Sequence, residues 1–563
     1  MKRLLFFAIL LILLATRSFW THDGIPYTHD GENHLVRFAN YKVALKEGQL
    51  PPRFAPNLLN HYGYPVFNYN YPLANIISLP FSFLKFHYEL TFKLIIFFAL
   101  LLGSYGVIRW LSQYSTKKLP ILAALIAYLS GPPLISALLF RGTMGEILAY
   151  ALWPWLFFSF TEATKKLSSK RILLNIILWT AFLLSHNISV FVAAFVFLIF
   201  GLWQYLVTKE RRQFAVQIAT ILTAAIGLSL WFWLPAIAEM TEVVVSQAAN
   251  QREYLLHFPT LKQLLYSSVT FGYSYPGPVD TLSFWLGLVI PLILLIVVAI
   301  LVSKVTRKQL SFQTLFKSFK SNPLGILMLL LVVSIFFQLE ISRYVWQLLP
   351  NFRLIQFPWR FGMFSTIVSL PVLVWLLQKY HAVITRGVWL VLLFQLLIVG
   401  QVSPIEYVAK QKFEYDLHGG TTSTQNENVP FTFRYLLIAD WQPSATVFSG
   451  KAEIAKVESW SGSNRMYRVN VMTPTVIVEP TMYFLGWETK IRDVTNSDQD
   501  FKITPYIDSD EIQGRIAYSL EPGVYQVQTK FTQNTPARRI GNLSFIITAL
   551  TLLGLAIVRK YRL

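Results

Sequence analysis

The sequence contains no cysteine, so disulfide bonds, thiol catalysis and cysteine-ligated zinc are excluded. Charged residues make up only 14% of the 563 positions, whereas hydrophobic residues make up 54%, and the mean hydropathy is +0.47. A chain so poor in charge and so rich in apolar residues is expected to be a membrane protein that crosses the bilayer many times.

Acidic residues are also scarce, with 29 against 49 basic residues and a formal net charge of +20. This excess does not indicate a nucleic-acid partner, because the basic residues form short clusters between apolar runs, as the positive-inside rule requires. If the N-terminus is cytoplasmic, every cluster falls on the cytoplasmic side. The clusters are Lys117 with Lys118, Lys165 to Arg171, Lys209 to Arg212, Lys304 to Lys320, Lys379 to Arg386 and the tail Arg559 to Arg562.

The motifs of several enzyme classes are absent as well. The sequence has no Walker loop, no Rossmann glycine fingerprint after a strand, and no HExxH or GxSxG motif. It therefore gives no support for a protein driven by cytoplasmic ATP.

The apolar runs predict a polytopic α-helical membrane protein with about twelve transmembrane helices of ~20 residues each. The run 73–88, broken by Pro80 and Lys85, is predicted to lie at the outer interface. The run 172–206 is predicted to turn back at His186 and Asn187. Both termini would then be cytoplasmic in a multi-pass protein of the plasma membrane.

Three sequence domains follow from this topology. Residues 1–403 are predicted to form the transmembrane module, with a first outer loop at 20–73. Residues 404–538 alternate apolar and polar positions, as in 467–471, which predicts an extracellular β-sandwich-like domain before the last helix. Residues 539–563 would form the final transmembrane helix and a basic cytoplasmic tail.

The first outer loop contains the densest group of carboxylates and imidazoles. Two copies of Thr-His-Asp-Gly begin at Thr21 and Thr28, and the second, with His29 and Asp30, runs into Glu32 and His34. A helix is predicted from Gly31 to about Glu47, with Asp30 as its N-cap. Asp30 or Glu32 could serve as a general base or hold a divalent cation, Mg or Mn. Alternatively, Asp30 only caps the helix and Glu32 complements its dipole.

Basic residues at the outer ends of other predicted helices are candidate ligands for a lipid phosphate. Gly142 and Gly145 allow a turn that brings Arg141 to Glu146. The pair could then bind a lipid phosphate, or it could form a purely structural salt bridge, and the two alternatives are equal. His186 either touches a phosphate or caps its helix. Arg recognises phosphate with two hydrogen bonds, but interfacial Arg also snorkels without any ligand. The remaining candidates for binding the substrate or its lipid phosphate are His29, His34, Arg353, Gln356 and Arg360.

Several short motifs together resemble one family. They are Gly48-x-x-Pro51, Gly63-Tyr64-x-x-Phe67-x-Tyr69, Arg141-Gly142-x-x-Gly145-Glu146, Gln356-Phe357-Pro358-Trp359-Arg360 and Phe484-Leu485-Gly486-Trp487. In these the chain resembles bacterial membrane proteins of the 6-pyruvoyl-tetrahydropterin synthase-related family, relatives of the YfhO-like and other GT-C glycosyltransferases. Nothing in it resembles the soluble zinc enzyme that gives the family its label.

The resemblance implies a GT-C-like fold and the transfer of a sugar from a polyprenyl-phosphate donor to a surface glycan, polymer or lipid acceptor. A separate enzyme would charge the lipid carrier. The family's outer-loop carboxylate falls on Asp30 or Glu32, and since Asp30-Gly31-Glu32 is not an Asp-x-Asp motif, metal dependence stays open. A non-enzymatic transporter, flippase or assembly factor for lipid-linked polysaccharide is the alternative.

Overall fold

A computed structural model describes residues 1–246, 253–307, 323–380, 382–423, 426–434, 442–494 and 500–561. Its apolar runs form helices, because a helix pairs its own backbone polar groups without water. The longer helices are α1 (Lys2–Ala15), α2 (Gly31–Lys46), α3 (Leu73–Phe83), α4 (Tyr88–Leu111), α5 (Lys118–Leu129), α6 (Met144–Glu162), α7 (Ser169–Leu183), α8 (Asn187–Val207), α9 (Arg211–Ala238), α10 (Val289–Thr306), α11 (Pro323–Phe336), α12 (Phe361–Lys379), α13 (Ala382–Gly400) and α14 (Pro536–Tyr561).

Within the described residues, 7 helices are long and apolar enough to cross a membrane, or up to 8 if α11 and the segment Glu340–Leu348, which meet at a bend of 94°, form one broken span. The predicted membrane protein with many crossings is confirmed, whereas the predicted number of about twelve is not. The helix α3 continues through Pro80 and ends at Phe83, before Lys85, so the expected break at Pro80 is wrong, and its place at the outer interface stays a prediction. The helices α7 and α8 are separated at His186, as predicted. Residues 308–320 of the fourth basic cluster, and Arg562 of the tail, lie outside the described residues.

The chain divides into two compact units, each built from three segments. The first unit, called the helical unit below, comprises Met1–Glu32, Glu89–Ile226 and Ala248–Ala409. The second, called the β-rich unit, comprises Asn33–Tyr88, Gly227–Gln247 and Lys410–Leu563.

The helical unit is organised around α12, which is buried over most of its length and packs against α5, α6 and α11. At the start of the unit, a two-residue strand, β1 (Ile25–Pro26), pairs antiparallel with β2 (Tyr407–Val408) near its end. The start of the first outer loop is thereby held by backbone hydrogen bonds within this unit.

The β-rich unit contains two antiparallel sheets between residues 446 and 531. The strands are β3 (Thr446–Ser449), β4 (Ala452–Trp460), β5 (Asn464–Val471), β6 (Thr475–Met482), β7 (Trp487–Asp493), β8 (Asp500–Ile503), β9 (Arg515–Leu520) and β10 (Gly523–Phe531). The five-stranded sheet has the order β4-β5-β10-β7-β8, and the three-stranded sheet has the order β3-β6-β9.

One core is shared by both sheets, as the predicted β-sandwich-like domain requires. Tyr467 and Val527 of the larger sheet pack with Ile477 and Tyr518 of the smaller sheet. A buried ion pair also links the sheets, because Arg465 on β5 donates to Glu479 on β6 at 2.7 Å.

A second buried polar network in the β-rich unit surrounds Arg53, whose guanidinium donates to Asn68 (3.2 Å), to the Trp231 carbonyl (2.7 Å) and to Gln533 (2.7 Å). Glu239 accepts from Asn68 at 2.9 Å and from Arg538 at 2.8 Å. Burial, followed by the charge of Arg538, lowers the pKa of Arg53 to about 9, so the group stays charged at neutral pH. Each buried charge is thus hydrogen-bonded, as stability requires.

Candidate functional site

Arg141 and Glu146 form a buried ion pair in the helical unit. Arg141 ends a π-helical turn, Ala137–Arg141, and the left-handed Gly142 (φ +64°) lets the chain reverse into α6. The hydroxyl of Thr143 also donates to the Glu146 carboxylate at 3.2 Å. The predicted turn is therefore present, and it does bring the two charges together.

The second Thr-His-Asp-Gly copy packs against this turn through its backbone. The N–H of His29 donates to the Phe140 carbonyl at 3.0 Å, and the N–H of Asp30 donates to the Arg141 carbonyl at 2.9 Å. The hydroxyl of Thr28 accepts from the Gly31 N–H at 3.0 Å, at the start of α2. Asp30, which is partly exposed, is therefore the immediate neighbour of the segment that bears Arg141.

The imidazole of His29 packs against aromatic rings from the loop 271–275. It stacks on Tyr273 with ring centroids 4.8 Å apart and meets Phe271 edge-on at 5.1 Å. Burial lowers the pKa of His29, and the Asp30 carboxylate opposes part of this shift, so the ring is neutral at pH 7. Tyr273 remains 47% exposed, which leaves an aromatic surface beside Asp30 that sequence patterns did not reveal.

The Arg141 guanidinium also lies over the ring of Trp359, 4.5 Å from its centroid, and that of Arg360 lies 5.9 Å from the same ring. An aromatic ring attracts a cation on its face. Trp359 thus brings the two guanidinium groups, which are far apart in the sequence, to one ring.

Glu146, His186 and Arg360 line one small cavity of about 20 Å³, together with Tyr150 and Trp153. The volume suffices for one water-sized group. His186 is the N-cap of α8, and its Nδ1 accepts from the Ser189 N–H at 3.3 Å. The capping alternative is therefore confirmed, whereas contact of His186 with a phosphate stays a prediction. The same ring borders the cavity.

The cluster of Arg141, Glu146, His186 and Arg360, called the polar cluster below, lies at helix ends opposite to the basic loops. The span Lys118–Arg141 starts at a basic pair and ends in the cluster. Helices α6, α8 and α12 begin at the polar cluster and end at basic loops. Helix α7 has the opposite direction, since it begins at a basic loop and ends near His186. Because an α-helix rises 1.5 Å per residue, the helices α6, α8 and α12 place the polar cluster about 25 Å or more from the basic loops.

The other predicted site residues do not all reach the polar cluster. Glu32 is partly exposed in the first turn of α2, whereas His34 is buried in the β-rich unit, 6.2 Å from the ring of Tyr71. Arg353 is exposed and Gln356 is half-buried with a positive φ of 66°. No described contact joins Arg353 or Gln356 to Glu146 or Arg141.

Within the part of the chain that the structure describes, no group of three or more His, Cys, Asp or Glu side chains is placed to hold a metal ion. Asp30 and Glu32 supply two carboxylates, and a bound Mg or Mn would need further oxygen ligands, which waters or a phosphate can provide. A divalent cation at this position stays a prediction.

A bundle of apolar helices with a polar cluster at one end, together with a separate β-rich unit, is the architecture of a polytopic membrane protein. The sequence model of the 6-pyruvoyl-tetrahydropterin synthase related domain, described as a membrane protein, matches residues 67–408. The chain belongs to this family, which confirms the predicted resemblance. No curated protein matches the chain.

Proposed function

We propose that this protein is a membrane glycosyltransferase with a GT-C-like fold, moving a sugar from a polyprenyl-phosphate donor to a cell-surface glycan, polymer or lipid acceptor. One observation carries the proposal. The loop that bears Asp30 is hydrogen-bonded to the turn that bears Arg141, so a partly exposed carboxylate and two guanidinium groups belong to one set of helix ends.

In this reaction Asp30 or Glu32 takes the proton of the acceptor hydroxyl as it attacks the anomeric carbon. The new carbon–oxygen bond forms as the bond between the sugar and the lipid phosphate breaks, and the phosphate leaves with the bonding electrons. Arg360 and Arg141 stabilise the negative charge that develops on that phosphate.

The aromatic rings beside Asp30 suit a sugar substrate. The exposed face of Tyr273 offers an apolar surface on which a sugar ring can lie, and its hydroxyl offers a polar edge. Because His29 holds this ring next to Asp30, a sugar on Tyr273 would be close to the proposed base.

The outer face of the plasma membrane is the proposed location of this chemistry. The polar cluster lies at the helix ends away from the basic loops, and basic loops are cytoplasmic in most membrane proteins. Nucleotide sugars do not occur outside the cell, so a donor must cross the bilayer as a lipid, charged by a separate enzyme.

The test replaces the two carboxylates in the purified full-length protein. Asp30→Asn and Glu32→Gln are assayed in proteoliposomes with polyprenyl-phosphate carrying radiolabelled glucose or N-acetylglucosamine. We expect loss of the essential base to lower the transfer rate by about 10²–10⁴-fold in one of them, with unchanged thermal unfolding.

Asp23→Asn is the matched control, because Asp23 occupies the same place in the first Thr-His-Asp-Gly copy and is exposed. It should retain full activity. Full activity in both Asp30→Asn and Glu32→Gln would refute the assignment. Movement of the lipid across the vesicle membrane without consumption of its sugar would support the alternative, a flippase.

A further inference from the structure

The outward face of the five-stranded sheet carries basic side chains on three adjacent strands. Burial alternates along β10, where Val527 and Thr529 are buried in the core and Lys530 is exposed. The register places Lys490 of β7 directly opposite Lys502 of β8. These side chains therefore share the outward face, since residues directly paired on neighbouring strands point to the same side.

Two lysines directly opposite each other repel, and such a pair destabilises a sheet. Asp500 forms an ion pair with Lys490. Lys502 has a weaker neighbour, because its Nζ lies 3.8 Å from the Glu488 carboxylate. Asn534 already donates to that carboxylate at 2.6 Å. The Glu488 carboxylate is thus shared between Asn534 and Lys502, and the charge of Lys502 is less fully compensated than that of Lys490.

The same lysines border a groove. A cavity of about 480 Å³ is bounded by the strands β7, β8 and β10, by the turn Gly48–Leu50 and by residues 531–534. Lys490, Lys502 and Lys530 line it beside the amide side chains of Gln528 and Asn534, and one carboxylate, that of Glu488, lines it as well, so the lysines outnumber the acidic groups. Cations and amides together offer hydrogen bonds to anionic groups and to hydroxyl groups.

We propose that this groove binds an anionic polysaccharide, that is, a glycan with repeated phosphate or carboxylate groups. Neighbouring strands are ~4.8 Å apart, so the three lysines spread positive charge over about 10 Å, which suits an extended polymer. The amides would bind its hydroxyl groups. Among the described residues that line the groove, the aromatic one is Phe531, which is 4% exposed and so offers no face for stacking nucleic-acid bases.

This proposal concerns binding by the β-rich unit and does not depend on sugar transfer. If the proposed function holds, the groove would hold the acceptor polymer. The test measures binding alone, so its failure is distinguishable from failure of the transferase assay.

The experiment uses the full-length protein in phosphatidylcholine nanodiscs and two fluorescein-labelled probes, polygalacturonate and poly(glycerol phosphate), with neutral dextran as the uncharged comparison. Fluorescence anisotropy gives the dissociation constants. We expect at least one anionic probe to bind and dextran not to bind. Lys502→Gln combined with Lys530→Gln should raise the dissociation constant at least tenfold.

Lys451→Gln is the matched control, because Lys451 is an exposed lysine beside β4, near the opposite end of the same sheet. It should leave binding unchanged. Lys502→Gln alone should leave the unfolding temperature unchanged or higher, since it relieves repulsion. If Lys502 served only the stability of the sheet, Lys502→Gln would lower the unfolding temperature.

Three results would overturn the proposal. The first is equal binding of dextran and the anionic probes. The second is unchanged affinity in the Lys502→Gln, Lys530→Gln variant. The third is lysine-dependent binding to phosphatidylglycerol vesicles with no binding to either polymer, which would assign the groove to anionic lipid.

Discussion

Glu146 is a buried carboxylate whose position depends on Arg141. The two charges are 4% and 7% exposed as whole residues, so each relies on the other for compensation. Removing one partner of a buried pair leaves an uncompensated charge, which costs about 3–5 kcal/mol, whereas replacing both with apolar residues is often neutral.

Glu146→Ala is therefore expected to destabilise the protein by about 3–5 kcal/mol. The double variant Arg141→Met, Glu146→Leu should restore the unfolding temperature, measured by intrinsic tryptophan fluorescence in detergent. If Arg141 stabilises the leaving phosphate, the restored protein should still transfer sugar poorly. Full activity in the double variant would show that the pair is structural only.

At this scale the sequence predicted contacts that depend on near neighbours. Arg141 and Glu146 are five positions apart, and two glycines between them signalled the turn. The sequence did not predict that Tyr273 meets His29 or that Trp359 meets Arg141, because these contacts join distant segments whose approach is set by helix packing.

The turn after the π-helical segment joins the loop of residues 28–31 to the polar cluster. A Cβ at Gly142 would lie 2.6 Å from the Gly31 nitrogen and would also meet the Thr28 hydroxyl. Gly142 also has a φ of +64°, which side chains other than glycine rarely adopt.

Gly142→Ala should separate the loop 28–31 from the turn and cost more than about 1 kcal/mol. We expect sugar transfer to fall with it, together with faster proteolysis of the loop. Gly387→Ala is the control within α13, since among the described residues no atom outside the local helix backbone lies within 4 Å of its added Cβ. It should be neutral or stabilising by roughly 0.5–1 kcal/mol. Equal stability and equal transfer activity in the two variants would contradict this role of the turn.

The caps of α8 and α7 provide a second comparison between elements. His186→Ala removes the cap of α8 and should cost about 1 kcal/mol, and His186→Asn should restore it, because Asn is a favoured cap. If the imidazole acts on the substrate, both variants lose transfer activity. Ser168→Ala removes the N-cap of α7, at the end of that helix away from the polar cluster. It should lower the stability of the protein and leave the transfer activity unchanged. Normal activity in His186→Asn would limit His186 to capping.

Elements with a strong local pattern were predicted well. The structure confirms a helix from Gly31, which ends at Lys46 before Gly48, and the strands around 467–471 and 524–528. The number of crossings was harder, because apolar runs of 14–17 residues can be buried helices, broken spans or interfacial helices, and hydropathy does not distinguish them.

For the whole molecule, topology is the main open prediction, and the absence of cysteine makes it directly testable. Single cysteines at Lys166 and Lys451, both exposed, would be the unique thiols of the chain. A membrane-impermeant maleimide should label Lys451→Cys in intact cells and Lys166→Cys only after permeabilisation. The reverse pattern would place the polar cluster in the cytoplasm and remove the proposed donor.

The division into two units was beyond the reach of sequence patterns. Each unit gathers three separate segments, and the boundary between them falls inside α2, after Glu32. A continuous helix gives no compositional signal there, so only tertiary contacts reveal that Asp30 and His34 belong to different units.

The pairing of Ile25 with Val408 has a consequence for biosynthesis. A ribosome adds ~5–20 residues per second, so strand β1 emerges roughly 20 to 80 seconds before its partner. Most helices are therefore inserted before the strand β1 can pair with β2. A nascent chain arrested before residue 400 would lack this pairing. Closure of this strand pair is thus tied to translation of the chain as far as Val408.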